Sequence, residues 1–369
     1  MTSPPTPYLR LDLAKAQTAI AAMAAHAQAR GVTLRPHAKT HKSVRLGRMQ
    51  VAAGAVGLTV ATVGEAEVFA AGGCDDLFIA YPLWVDAAKA RRLSAVMDLA
   101  RVAVGVDSTA SLDAMAGHGI RPEVLVEVDS GHHRTGVPPV AAGAIARYAA
   151  DAGFVVRGVF TFPGHSYSLA TRRSAAADEA RALANAAQSF ADAGLGAGVL
   201  SGGSTPSAAF VGEGCGGSGD SGTGGVGGAG GAGGAALTEL RPGVYVVGDA
   251  QQVELGVCRL EDVALTVVAT VVSHAGGRVV LDAGSKVLGA DRAAWASGYG
   301  RVVEAPQARI VALSEHHATL EWGTGVPPAL GAQVLVVPNH VCTCVNLADA
   351  YVLADGTGQW PVDARGRNS

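Results

Sequence analysis

Charge, lysine and long apolar runs are scarce in this 369-residue sequence. Only 16% of its residues are charged, against a usual share of about 25%, and 28 Lys+Arg nearly balance 31 Asp+Glu. No run of five basic residues occurs, which argues against nucleic acid or an anionic membrane as the main partner. No stretch of 18 apolar residues occurs either, so no transmembrane helix is expected. The start, MTSPPTPYLRLDL, has no basic region leading into an apolar core, and so does not read as a signal peptide. Five cysteines, an odd number scattered apart from one C-x-C, do not make a disulfide framework and point to a reducing, cytoplasmic setting. No lysine directly follows a glycine, which excludes a Walker A loop, and there is no G-x-S-x-G nucleophile elbow.

What is present is apolar material, 49% of the chain, and 50 glycines. Fourteen of those glycines fall in the 23 residues 212–234. This tract contains G-x-G-x-x-G spacings, such as Gly225 to Gly230, but no strand precedes them and no helix follows, so a dinucleotide site is not implied. Its composition reads as a flexible linker, an insertion tolerated at the surface.

Elsewhere, short Val-rich runs alternate with Ala-rich helical stretches: 32–38, 57–62, 76–82, 101–107, 123–129, 154–162, 198–201 and 243–247. Continuous apolar strands of this kind suit a parallel sheet buried on both faces, and eight of them suit a closed barrel. Beyond residue 255 the Val-rich segments are separated by glycine turns without helices, as in antiparallel sheets. The expected fold is therefore α/β: a (β/α)8 TIM-type barrel followed by a C-terminal antiparallel β domain. Residues 1–29 form an opening strand and helix, the strand a candidate to join the second domain. Residues 30–254 form the barrel, interrupted by 212–234, and 255–369 form the β domain.

Polar clusters fall at the C-terminal ends of the expected strands, where barrels of this type assemble their active sites: RPHAKTHK (35–42), DSGHHR (129–134), PGHSY (163–167) and SGGSTP (201–206). Two of only five lysines lie in the first cluster. Lys39, flanked by Arg35, His37 and His41, sits where neighbouring cations would favour the neutral amine that Schiff-base chemistry needs. Lys42 reads as a surface or helix-start residue. The loop SGGSTPS can cradle a phosphate on backbone N–H groups, and with Lys39 it makes pyridoxal phosphate the joint explanation. In PNHVCTC, His340 and Cys342 are two apart and would share one face of a strand. Imidazole plus thiolate suits zinc, but two groups alone leave open a structural cysteine beside a hydrogen-bonded histidine. His316 and His317 are further candidates as ligands or proton carriers.

These segments, with TVATVGEAE (59–67), VEVDSGHHRTGV, ELRPGVY, DAGSK and PNHVC in this order, resemble the fold-type III pyridoxal-phosphate enzymes of the D-threonine aldolase and D-serine dehydratase family. The resemblance spans nearly the whole chain and implies an alanine-racemase-like barrel, a β domain and a homodimer acting on a small D-amino acid. It makes Lys39 the Schiff-base lysine and places Arg134 near the cofactor ring. His165 and Tyr167 would border ring and substrate, and Gly202, Gly203, Ser204, Thr205, Gly243 and Tyr245 would hold the phosphate. It also makes His340 and Cys342 a divalent-metal pair, zinc favoured over manganese or magnesium. Cysteine at 342 leans toward the dehydratases, since the aldolases tend to carry aspartate there. SEHHA (314–318) departs from the aldolases' Ser-Glu-Glu-His-Gly at His316. The expected activity is therefore dehydration of D-3-hydroxy amino acids, with retro-aldol cleavage, racemisation and a non-catalytic cofactor-binding role as alternatives.

Overall fold

The computed structural model describes residues 4–212 and 237–369, so the glycine tract beyond Gly212 lies outside the described residues. The chain opens with strand β1 (Tyr8–Leu11) and helix α1 (Leu13–Ala29). Asp12 caps α1 by accepting the Lys15 N–H at 3.2 Å, satisfying one of the helix's free first-turn donors.

Eight parallel strands follow: β2 (Thr33–Leu34), β3 (Leu58–Val60), β4 (Asp76–Pro82), β5 (Arg101–Val106), β6 (Glu123–Glu127), β7 (Val156–Phe160), β8 (Val199–Gly202) and β9 (Glu239–Leu240). They pair in the order β2-β9-β8-β7-β6-β5-β4-β3. The two ends of this path meet at a parallel bridge between His37 and Thr59. There Ala38 N–H donates to Thr59 O and Thr59 N–H to Pro36 O, each at 2.8 Å. The barrel is thus closed two residues before Lys39. Helices α2 (Val44–Ala52), α3 (Val63–Ala71), α4 (Ala87–Met97), α5 (Thr109–Gly117), α6 (Ala142–Asp151), α7 (Arg172–Asp192) and α8 (Ala250–Glu254) complete this part.

Strands β4 to β7 are buried on both faces, which is why they read as unbroken apolar runs. Their inward side chains Phe78, Ala103, Leu125 and Phe160 fill the lumen, large beside small. Phe78 meets Phe160 edge-on at 5.0 Å, and a Cβ on Gly105 would lie 2.6 Å from the Phe160 ring. The lumen at this level is a packed core.

One strand was misplaced by sequence pattern. The apolar run GVYVV (243–247) is not the eighth barrel strand. That strand is the two-residue β9, and Val244–Val246 is a 3-10 turn. Proline at 242 has no N–H for a ladder, so the chain leaves the sheet there.

The second sheet contains β10 (Leu265–Ser273), β11 (Val279–Leu281), β12 (Gly300–Val302), β13 (Arg309–Leu313), β14 (Ala318–Glu321), β15 (Gln333–Pro338), β16 (Ala350–Leu353) and β17 (Gln359–Pro361), with short helices α9 (Ser285–Leu288) and α10 (Val341–Leu347). Strand β1 joins it, antiparallel to β10 and parallel to β16, so the sheet is mixed at that one pairing. Its core includes Leu9, Leu11, Val267, Val336 and Tyr351.

After β17 the chain returns to the barrel. Ala364 N–H donates to Lys42 O (3.0 Å), Thr62 Oγ1 to Arg367 O (2.6 Å) and Gly64 N–H to Ser369 O (3.0 Å). Lys42 is not a surface residue. Its ammonium lies 2.8 Å from Glu65 Oε1 and 3.3 Å from Ala364 O, with both charged side chains buried. Glu65 belongs to the first turn of α3, and its other oxygen accepts Ala61 N–H at 2.7 Å. Among the described residues no helix is long and apolar enough to cross a membrane.

Candidate active site

A cleft of about 400 Å³ lies over the C-terminal ends of the barrel strands, between the barrel and the second sheet. The barrel contributes Lys39 and Thr40 after β2, Phe162 and Tyr167 after β7, Ser204 after β8, and Arg241 and Gly243 after β9. The other wall is made by Gln251 of α8, residues 291–293, His340 and Cys342. Of the twelve residues that the resemblance assigns to cofactor, substrate or metal, Lys39, Tyr167, Ser204, Gly243, His340 and Cys342 line this cleft, together with His37.

Lys39 Nζ and the Arg134 guanidinium both lie against the Phe162 ring, 5.8 and 5.3 Å from its centroid. The three residues that flank Lys39 do not surround it with cations, contrary to expectation. Arg35 turns to the opposite end of the barrel, 2.7 Å from both Glu239 and Asp76. Burial, with the nearby Lys39 and Arg241 charges, holds the His37 imidazole neutral, far below its ordinary pKa. Burial also lowers His41 to about 4, and its Nε2 pairs with Gln50 Oε1 at 3.1 Å.

His165 stands behind the cleft, with Nε2 3.3 Å from Asp178 and a buried Nδ1 that has no partner. Burial raises the Tyr167 phenol far above its ordinary pKa, reinforced by Cys342 and Asp249. Gly202 and Gly203 sit below the cleft floor. Gly203 N–H donates to Glu179 Oε1 at 2.5 Å, and a Cβ on Gly202 would meet the same oxygen. Thr205 Oγ1 accepts the Tyr245 N–H at 3.2 Å, while the Tyr245 hydroxyl accepts from Gln50 at 2.8 Å. Both Thr205 and Tyr245 line a separate pocket beside α1.

Burial raises the Glu179 carboxyl to about 7, despite the Gly203 hydrogen bond and the nearby Arg241. The fold therefore holds this proton more tightly than the unfolded chain, whose ordinary value is 4.5. Stability contributed by this group is full below about pH 4.5 and is lost as pH rises toward 7. Glu179→Gln should flatten the pH dependence of chemical denaturation across that window, and an unchanged slope would show that Glu179 is already ionised.

His340 and Cys342 lie side by side, but through a helix start and not by the strand alternation expected. His340 is the residue that begins α10, and the helix's first turn brings the thiol back to the imidazole. Burial pushes the Cys342 thiol up, yet His340, Lys39 and a hydrogen bond with Thr40 outweigh it and lower its pKa. The imidazole is raised against its own burial by Cys342 and Asp249. Among the described residues no group of three His, Cys, Asp or Glu gathers here, so a cation would have two protein donors and open positions for water or substrate. His316 and His317 do not join the pair: they lie exposed in the turn between β13 and β14.

Three contributors were not singled out as site residues in the sequence, although Thr40 and Arg241 lie in the quoted segments RPHAKTHK and ELRPGVY. Arg241 is buried on the cleft floor, over the Phe78 and Phe160 rings at 5.5 and 5.2 Å, and its Nε has no partner. Thr40 bonds the Cys342 sulfur at 3.4 Å. Asp249 accepts from His340 Nδ1 at 3.1 Å. An amine, an orphaned guanidinium donor and a glycine whose added Cβ would meet Thr40 Oγ1 at 2.8 Å fit a ring-bearing carbonyl cofactor with an anionic group. The adjoining imidazole and thiol fit a borderline-soft cation.

Comparison with known proteins gives a consistent picture. The family model described as alanine racemase, N-terminal domain, matches residues 11–214, and that of the putative serine dehydratase domain matches 264–354. D-threo-3-hydroxyaspartate dehydratase of Delftia sp. (strain HT23) is 35% identical, covering 96% of each chain. D-threonine aldolase of Arthrobacter sp. is 33% identical, covering 98% of this chain and 93% of its own. The solved structure of the Delftia dehydratase superposes with a TM-score of 0.83 at 32% identity over 97% of each chain. A cysteine-to-alanine variant of a D-threo-3-hydroxyaspartate dehydratase, in a metal-free form, superposes with the same TM-score of 0.83.

Proposed function

Because the chain belongs to the fold-type III pyridoxal-phosphate lyases of the D-threonine aldolase and D-serine dehydratase family, we propose that it dehydrates D-3-hydroxy amino acids to a 2-oxo acid and ammonia. The observation that carries the dehydratase reading is Cys342 in contact with His340 in the cleft that Lys39 lines, its sulfur 3.4 Å from Thr40 Oγ1. That a cysteine variant of a D-threo-3-hydroxyaspartate dehydratase was solved in a metal-free form supports assigning the pair to a cation, zinc by its donor types.

When bound, the cofactor supplies an electron sink for charge at Cα, and the cation a Lewis acid for the 3-hydroxyl. Lys39 would hold the cofactor, and its amine is the group placed to take the proton from Cα. His340 and Cys342 would hold the cation, with Thr40 bonded to the sulfur beside them. Phe162 keeps water from the Lys39 side, and Arg241 supplies positive charge from below. Loss of the α-proton and the hydroxide yields an enamine, which water converts to the 2-oxo acid and ammonia.

The protein is proposed to act as a homodimer. Trp84 and Leu169, 65% and 62% exposed in the loops after β4 and β7, support a partner surface near the cleft.

Incubation of the purified enzyme with D-serine, D-threonine and D-threo-3-hydroxyaspartate, with and without EDTA, tests the reading. A chelator-sensitive release of 2-oxo acid and ammonia in equal amounts is expected. Glycine and an aldehyde would establish the aldolase reaction instead, and EDTA-insensitive inversion at Cα would establish racemisation.

A further inference from the structure

We propose that Asp249 is a positioning residue for the metal pair: it aims the His340 ring so that its second nitrogen faces the cation beside Cys342. This rests on the reading above that the pair holds a divalent cation. Asp249 has no exposed surface and does not line the cleft, so it touches neither substrate nor cofactor. Its carboxylate is nonetheless fully engaged. Oδ2 accepts from His340 Nδ1 at 3.1 Å and from Val341 N–H at 3.2 Å, and Oδ1 accepts from Gln252 N–H at 2.8 Å.

A carboxylate can only accept here, so the Nδ1 that it contacts carries the hydrogen, and Nε2 is the nitrogen left to give a lone pair to a metal that displaces its proton. That lone pair is the donor a metal needs, and the Asp249 bond sets the angle at which the ring presents it. The same residue caps α8, whose Gln251 lines the cleft and donates its N–H to Asn339 O at 3.1 Å. One buried side chain therefore ties the helix start facing the substrate to the helix start carrying the ligand.

A helix cap alone would explain the Gln252 bond but not the His340 bond, and two variants separate these roles. Asp249→Asn keeps the shape of the side chain. Asp249→Ser keeps a good capping group but is too short to reach His340. The pyridoxal-phosphate-loaded full chain of each is stripped of metal and titrated with Zn²⁺ against a chromophoric chelator. Zinc affinity is expected to fall 10- to 100-fold in both, a usual range for lost outer-shell partners. The cofactor absorbance should be unchanged, and dehydration should return to within about threefold of wild type at saturating zinc. Zinc affinity within twofold of wild type in both variants, or a lowered melting temperature with unchanged zinc affinity, would overturn the proposal. A wild-type chain that binds no zinc would overturn the metal reading and this proposal with it.

Discussion

Lys39→Ala is expected to abolish the visible absorbance of lysine-bound pyridoxal phosphate and to cut turnover of the best D-3-hydroxy amino acid by roughly 10³-fold or more. Lys39 is the only lysine lining the cleft among the described residues. The next nearest in sequence, Lys42, cannot replace it, because its ammonium is committed to Glu65 and Ala364 O. One side chain would therefore lose two duties, holding the cofactor and taking the Cα proton. An absorbance spectrum and a coupled assay for the 2-oxo acid check each duty separately. A band that persists in the variant would assign the cofactor to another amine. A band lost without loss of turnover would leave Lys39 as an anchor only.

Lys42→Met should cost about 3–5 kcal/mol of unfolding free energy, the usual penalty for removing one partner of a buried ion pair. Methionine preserves the length of the side chain at a backbone position with φ of 49° that lysine already occupies. The loss then comes from Glu65, left buried with only its Ala61 hydrogen bond, and from the lost contact to Ala364 O. Pairing Lys42→Met with Glu65→Gln should recover a large part of the loss, since the uncompensated charge is gone. Urea denaturation of the four proteins in this cycle measures the coupling. Coupling near zero would mean that the pair is solvated in solution.

The barrel was legible because its strands are sandwiched between lumen and helices. Segments such as RVAVGV (101–106) then have no polar face to confuse with a loop. The last strand was not legible, because two residues are enough to complete a closed sheet and Glu239 points its charge at Arg35 inside the barrel. The site divides in the same way. Lys39, His340 and Cys342 stand out by scarcity and spacing. Asp249 has neither mark, and the histidine it contacts is 91 residues away in the chain. Lys42 was misread because a charged residue before a helix is ordinarily solvated. Its burial depends on residues 362–369 returning across the barrel, a contact with no local signature.

The closure of the barrel has a consequence for the order in which the molecule assembles. Strands β3 to β8 pair with sequence neighbours, but β2 must find β9, with Thr33 opposite Glu239 and Leu34 opposite Leu240. This is the pairing of longest sequence separation in the barrel, and loop-closure entropy delays contacts of this kind. Once formed, the seam is held by Thr33, Arg35 and His37 N–H donating to Thr238, Leu240 and Pro242 O at 2.9, 2.9 and 3.0 Å, and on the other side of β2 by the bridge at His37. Lys39 lies at this seam, while Ser204 and Gly243 follow the strands on its far side. A molecule bound to all three would span the last-formed joint of the barrel. Amide exchange at β2 should accordingly slow more on cofactor loading than exchange in β5, making the active site a clasp on the fold as well as its product.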